Sequence, residues 1–458
     1  MNMKKYLVMA ALLLSAGAYA QNSGGISKEM LVEIAGGYEG TPADKALRNA
    51  LNTSTINVLA ANSENLSMID THFSDMVRTK GHTDQASSGR CWLFTGLNVL
   101  RAKMMDKYNL GEVKFSQNYL FFYDQLEKAN LFLQGVIDTR NLPFEDRQVD
   151  WLFRNPLSDG GQFTGVSNLV MKYGLVPANV MPETYQADNT SQMNTRISEK
   201  LREDGLRLRA AKKGHEKMKV EMLKEVYHML AICLGVPPQE FTYALYDAED
   251  KLVSEKTYTP QSFYAEYFGE DMNNGYVMLM NDPCREYGKV YEIQYDRHVY
   301  DGQNWLYVNL PMDRIKEIAT ASIKDNTAMY FSCDVGKFLN RKTGVADLKN
   351  FDYESLMGVS YGMDKKERVM THASGSSHAM TLIAVDIKDG EYRKWMVENS
   401  WGDTYGYKGN IIMTDEWFDN YMFRLVAEKK YVPEDVLKML EQEPVMLPSW
   451  DPMFMSED

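Results

Sequence analysis

From Cys91 the chain reads Trp92-Leu93-Phe94-Thr95-Gly96-Leu97-Asn98-Val99-Leu100, with apolar groups on every face that a helix would present. Such a helix is stable only inside a core that covers it on all sides. The chain has the means to build that core: it has 458 residues, 25% of them charged and 44% hydrophobic, close to the averages of soluble globular proteins. Disordered, collagen-like and fibrous folds are thereby excluded. At roughly 150 residues per domain, the length allows about three folding units or one elaborated core.

The elements around this helix follow an order. Phe115 to Phe132 reads as a second, strongly aromatic helix with Ser116 as its N-cap. Asp159-Gly160-Gly161-Gln162 is a turn into a further helical stretch, which Gly174 closes and Pro177 keeps from continuing. Beyond Phe241 short runs rich in β-branched and aromatic residues take over: Val277 to Met280, Val290 to Tyr295, Trp305 to Leu310, Met329 to Cys333, Met380 to Val385, Trp395 to Glu398 and Gly409 to Met413. These read as strands of one sheet or barrel. Helices first and strands second make an α+β fold.

Charge narrows the partners. Lys and Arg number 50 against 63 Asp and Glu, a net charge of −13, and such a field repels phosphate backbones. Nucleic acid is therefore not an expected partner. Between Arg196 and Lys224 ten Lys and Arg outnumber five acids, and in an acidic chain this segment reads as a solvated helix face or a subunit contact.

The first twenty residues have the three-part plan of an export leader: Lys4 and Lys5, an apolar run from Tyr6 to Leu14, and Ala18-Tyr19-Ala20 at the cleavage position. The apolar run is about half the length of a membrane span. The expected product is secreted or periplasmic, begins at Gln21 and has no stable membrane anchor. The four cysteines, Cys91, Cys233, Cys284 and Cys333, are too few and too scattered for a disulfide scaffold or zinc-finger spacing. Cys233 and Cys333 read as buried structural residues, and the disulfide state of Cys233, Cys284 and Cys333 stays open.

Cys91 differs from the other three in its setting. It follows the Ser87-Ser88-Gly89 turn at the start of the buried helix, where the helix end favours a thiolate. Far downstream, Ser377-His378-Ala379-Met380 leads into an apolar strand, so His378 stands where a base reaches across to a thiol. His372 competes for that role, but it precedes a Ser/Gly-rich turn instead of a strand. Val397-Glu398-Asn399-Ser400-Trp401-Gly402 supplies an Asn amide to orient the imidazole and an indole to shield that bond. Gln85, six residues before Cys91, is placed to aim its amide at a developing oxyanion together with the Cys91 backbone N–H.

These motifs resemble those of the papain-like cysteine peptidases, and within that superfamily the bleomycin hydrolase or aminopeptidase C family. The resemblance rests on Ser88 to Phe94, Leu97 to Arg101, Phe115-Ser116-Gln117, Asp159 to Gln162, Leu234 to Pro238, Asn281-Asp282-Pro283, Cys333 to Lys337, Ser377 to Met380 and Trp450 to Met453. It runs from about residue 50 to the C-terminus. It implies Cys91 as nucleophile, His378 as general base and then acid, Asn399 as orienter and Gln85 as oxyanion donor. Substrate binding would fall to Gly160, Gly161, Trp401 and the terminal Asp458. No metal or other cofactor is implied.

After the leader over 1–20, the resemblance further implies a two-lobe papain-like fold: an N-terminal arm over 21–80, a helical lobe over 81–183, a helical insertion over 184–275, an antiparallel sheet or barrel lobe over 276–446, and a C-terminal arm over 447–458 lying in the cleft. Members form homohexameric rings around their peptide substrates, and the arm's terminal carboxylate holds the substrate's amino group. Two features depart from the family pattern: the leader, and the bulky Phe454 and Met455 where relatives carry small residues. An endopeptidase with an open cleft and a non-catalytic ring-forming binding protein are the rival expectations.

Overall fold

The computed structural model describes residues 24–65 and 69–454, so the leader expected over 1–20 and the terminal Asp458 lie outside the described residues. Two compact units emerge, one of residues 24–61 together with Asp352–Gly358, the other of the remaining described chain. In the smaller unit, Thr41 closes a capping box with Asp44 ahead of Pro42, which starts the helix Pro42–Leu51. The Asp352 amide donates to the Ala60 carbonyl at 2.8 Å and joins the short helix Tyr353–Met357 to Ile56–Ala60.

The larger unit holds the functional residues. The apolar run after Cys91 becomes the helix Cys91–Tyr108, buried along most of its length and ended by Asn109 in the left-handed conformation. The aromatic helix is longer than its sequence pattern, running Gln117–Asp138, with the Ser116 hydroxyl accepting the Tyr119 amide as N-cap. The third helix of this group, Phe163–Tyr173, ends at Gly174, whose φ of +75° suits glycine. Gly96 lets the first and third helices approach closely: a Cβ there would stand 2.5 Å from Val166 Cγ2. One apolar core surrounds these helices and takes in Trp92, Leu97, Phe121, Val166 and Leu169.

A second core lies on the sheet and includes Phe331, Leu382, Trp395, Val397, Trp417 and Phe418. The sheet has twelve strands, and its central order is Tyr276–Met280, Met422–Glu428, Met329–Cys333, His378–Lys388, Glu391–Glu398 and Asn410–Thr414. Neighbours in that series pair antiparallel. The resemblance implied an antiparallel sheet or barrel, but among the described residues three strand pairs are not antiparallel. Val445–Leu447 on Val290–Ile293, Leu306–Asn309 on Tyr276–Met280, and Val345–Ala346 on Asn410–Thr414 are parallel. Long connections separate each of these pairs in the chain, and a tight hairpin is not needed to join them.

Within 184–275, expected as helical, the helices Ser191–Ala210 and His215–Leu234 are followed by an antiparallel hairpin, Phe241–Tyr246 with Leu252–Tyr258. Its Thr, Tyr and Val content fits a pleated surface better than a helix.

Candidate active site

Cys91 is the first residue of its helix, at the end where the helix dipole favours an anion. The turn before it is held by side chains. Gln85 donates from Nε2 to the Ser88 carbonyl at 2.7 Å, and the Ser88 hydroxyl returns a bond to the Gln85 carbonyl at 2.6 Å. Ala86, between them, has a φ of +51°, a conformation that costs a residue with a Cβ and is held only by strong surroundings. Arg90 is fully buried: Nε donates to Ser88 Oγ at 2.9 Å, Nη1 meets Glu183 at 2.7 Å, and the guanidinium lies over the Phe94 and Phe121 rings.

Strand pairing brings the downstream residues to this turn. His378 opens the strand His378–Lys388 opposite Cys333, and the next residue, Ala379, donates its backbone N–H to Cys91 Sγ at 3.5 Å. His378 Nε2 lies 2.8 Å from Asn399 Oδ1. The Trp401 indole stacks on the imidazole with ring centroids 4.7 Å apart. Ser400 closes the circle: its carbonyl accepts the Gln85 backbone N–H at 2.9 Å and its hydroxyl donates to Gln85 Oε1 at 2.6 Å. Gln85, Cys91, His378, Asn399 and Trp401 thus form one cluster, and all but Trp401 are buried. His372, the competing histidine, is exposed at the end of the helix Lys365–Met370, with a φ of +59°.

Gly160 and Gly161 lie beside this cluster, tied to it through Asp159. The Asp159 carboxylate accepts the Gly89 amide at 2.8 Å, and its carbonyl accepts the Trp92 indole N–H at 2.8 Å. Gly161, which the resemblance gives to substrate binding, also leaves no room for a side chain. A side chain there would overlap the His298 ring and come 2.9 Å from Trp92 Cδ2. Both glycines line a cavity with Trp151, Leu152, Tyr295 and Phe454.

Phe454 belongs to the C-terminal segment, whose anchors are explicit. Asp451 pairs with Arg285, Arg424 Nη2 donates to the Met453 carbonyl at 2.6 Å, Arg147 lies 4.4 Å from the Trp450 ring centroid, and Phe454 packs on Trp151 at 5.6 Å. Asp458, expected to bind substrate, is outside the described residues.

Of the other thiols, burial pushes Cys284 up to about 11 and also raises Cys233, so neither matches the setting of Cys91. Among the described residues no group of three or more His, Cys, Asp or Glu is placed to hold a metal ion.

Sequence reasoning passed over Ser88, Arg90, Asp159 and Ser400, which fix the cluster without touching its centre. Their signal was proximity: each adjoins, or lies within three residues of, a residue the motifs selected. The buried Asp124 and His298 and the partly buried Lys128 carry no such signal.

Comparison with known proteins adds to this geometry. The model of the Peptidase C1-like family matches residues 25–454. Human bleomycin hydrolase is 43% identical over 386 residues, covering 81% of this chain and 85% of the human protein. Aminopeptidase G of Lactobacillus delbrueckii subsp. lactis is 37% identical over 431 residues, covering 93% of this chain and 98% of its own. The crystal structure of PepW from Lactobacillus rhamnosis superimposes with a TM-score of 0.90 at 33% identity, over 95% of this chain and all of that one.

Proposed function

The chain belongs to the Peptidase C1-like family, and from that premise we propose that it is a cysteine aminopeptidase, exported from the cell, that removes residues from the free N-terminus of peptides. The observation that carries this reading is the alignment of Cys91 Sγ beside Ala379 with His378 Nε2 on Asn399 Oδ1.

On this reading each residue of the cluster has a role. With Nε2–H donating to Asn399, Nδ1 is the imidazole nitrogen that takes the thiol proton. The thiolate of Cys91 attacks the scissile carbonyl carbon, and the oxygen takes up the electron pair of the broken π bond. The Cys91 backbone N–H and the Gln85 amide stabilise that oxyanion. One Gln85 N–H is held by Ser88 and its Oε1 by Ser400, so the second N–H is fixed in direction for this purpose. The imidazolium then protonates the departing amine, leaving a thioester on Cys91. Water, deprotonated by the neutral imidazole, hydrolyses the thioester and restores the thiol. Trp401 keeps water from the His378–Asn399 bond.

The anchored C-terminal segment supports the restriction to N-termini. Phe454 lines the cavity that Gly160 and Gly161 border, and the acidic residues that follow it in the sequence suit a substrate ammonium group electrostatically. A ring of six copies is part of the same reading, supported by apolar residues left exposed on and just after the helices Ser191–Ala210 and His215–Leu234, among them Leu206, Val220, Ile232 and Val236.

Labelling tests the reading of the nucleophile. A thiol-directed epoxide is expected to add once per chain, at Cys91, with loss of activity; labelling at Cys284 or Cys233 with Cys91 intact would contradict it. Export is tested by the N-terminus of the protein recovered from host fractions, expected at Gln21.

A further inference from the structure

Beneath the Gly160–Gly161 edge lies a buried charged network that the chemistry above does not use. Asp124 is fully buried on the aromatic helix Gln117–Asp138. One of its carboxylate oxygens lies 2.5 Å from His298 Nδ1, and the other meets the Lys128 ammonium at 2.9 Å. Burial and the nearby Lys128 charge hold the His298 imidazole below its usual range, so the ring is neutral and Nδ1–H donates to Asp124. Burial works to raise the Asp124 carboxyl, but the Lys128 charge and His298 outweigh it and keep Asp124 ionised.

Lys128 spends its remaining hydrogens on the neighbouring loop. It donates to the Ser158 carbonyl at 2.9 Å and to the Gly160 carbonyl at 2.6 Å. Gln125, one residue after Asp124, donates to the same Ser158 carbonyl at 3.0 Å. The His298 ring fills the space where a Cβ on Gly161 or Gly165 would sit, and meets the Trp92 ring edge to face with centroids 4.6 Å apart. Every polar contact of Lys128 thus points either at its own anchor or at the backbone that carries Gly160. Taking Asp124, His298 and the largely covered Lys128 from water costs desolvation that their mutual hydrogen bonds offset, and the remaining bonds of Lys128 converge on residues 158–161.

We propose that Lys128, fixed by the Asp124–His298 pair, is a positioning residue that sets the Ser158–Gly161 backbone at the angle from which it takes substrate. The proposal rests on the reading of Gly160 and Gly161 as the substrate-binding edge. Because Lys128 turns both carbonyls inward, the outward face of the edge presents a fixed set of backbone groups to an extended peptide.

The test compares Lys128→Met and Lys128→Arg with the unaltered protein on a peptide amide that has a free N-terminus. For Lys128→Met, KM is expected to rise roughly tenfold while kcat stays within about threefold, because the charged hydrogen bonds act on binding of substrate and not on the reacting atoms. Alkylation of Cys91 by iodoacetamide, which makes no use of the edge, is expected to keep its rate. Lys128→Arg, which retains the charge, is expected to recover part of KM, and it carries the test alone if circular dichroism shows Lys128→Met unfolded. An unchanged KM in a folded variant overturns the proposal, as does a fall in kcat and alkylation at constant KM. The same peptide titrated calorimetrically into Cys91→Ala, with and without Lys128→Met, separates the two readings. If the unaltered protein proves inactive, the aminopeptidase reading fails, while a tenfold loss of binding still upholds Lys128 and equal binding still overturns it.

Discussion

The Arg101 guanidinium donates from Nη2 to both carboxylate oxygens of Glu398, at 2.5 and 2.6 Å, with both side chains buried. Arg101 stands on the helix that begins with Cys91, and Glu398 directly precedes Asn399. The pair therefore ties the element that carries the nucleophile to the strand Glu391–Glu398 that leads into the orienting amide. Glu398→Ala leaves a buried guanidinium without its charge partner, and the expected cost is about 3 to 5 kcal/mol of folding stability. Urea unfolding measures it. Replacing both residues by Met and Leu is expected to cost much less than Glu398→Ala alone, which identifies the unpaired charge as the cause.

Asn399→Ala removes the acceptor that holds the His378 ring through Nε2. The site then keeps its thiol and base but loses the ring's fixed orientation, and kcat is expected to fall on the order of a hundredfold, within the range that positioned proton transfer contributes. Steady-state kinetics with unchanged thermal unfolding checks this. A rise in KM alone would show that Asn399 serves binding instead.

Gly161→Ala is expected to lower stability by about 1 to 3 kcal/mol, because its Cβ would overlap the His298 ring, whose place is set by Asp124 and Trp92. Double substitution with His298→Ala is expected to relieve part of the Gly161→Ala overlap, whereas no relief would mean that the glycine is required for another reason.

The different visibility of these residues in the sequence has a physical basis. Cys91, His378 and Asn399 stand at or next to the ends of elements, where a helix start or a strand start leaves a local signature that survives without tertiary structure. The buried helix after Cys91 was legible for a similar reason, since its apolar residues allow no solvated face. Asp124 and Lys128 left no such trace. They lie in a run of Phe, Tyr and Leu that reads as core, and their partner His298 is 174 residues from Asp124. The parallel strand pairs were hidden too, because alternation of side chains marks a strand without fixing its neighbour or its direction.

Lys365 supplies a pH signature. Its ammonium is buried, with Asn281 Oδ1 at 2.7 Å and the Met422 carbonyl at 2.5 Å, and burial pulls it down to about 7. The unfolded chain holds that proton up to roughly pH 10.4. Between about 7 and 10.4 the unfolded state binds more protons than the folded one, so this group makes stability rise with pH across that window; below 7 its penalty is present in full. Lys365→Met is expected to remove roughly 2 kcal/mol from the difference in unfolding free energy between pH 6.5 and pH 9. An equal difference in both proteins would show that Lys365 stays charged in the fold.

The central claim is a Cys91-dependent attack confined to free N-termini, and one comparison tests it most directly: hydrolysis of a single peptide with a free N-terminus and of the same peptide N-acetylated, by the unaltered protein and by Cys91→Ala. The expected result is cleavage of the free peptide only, abolished in Cys91→Ala. Equal cleavage of both peptides would contradict the N-terminal restriction and make the enzyme an endopeptidase, and cleavage that persists in Cys91→Ala would remove the nucleophile itself.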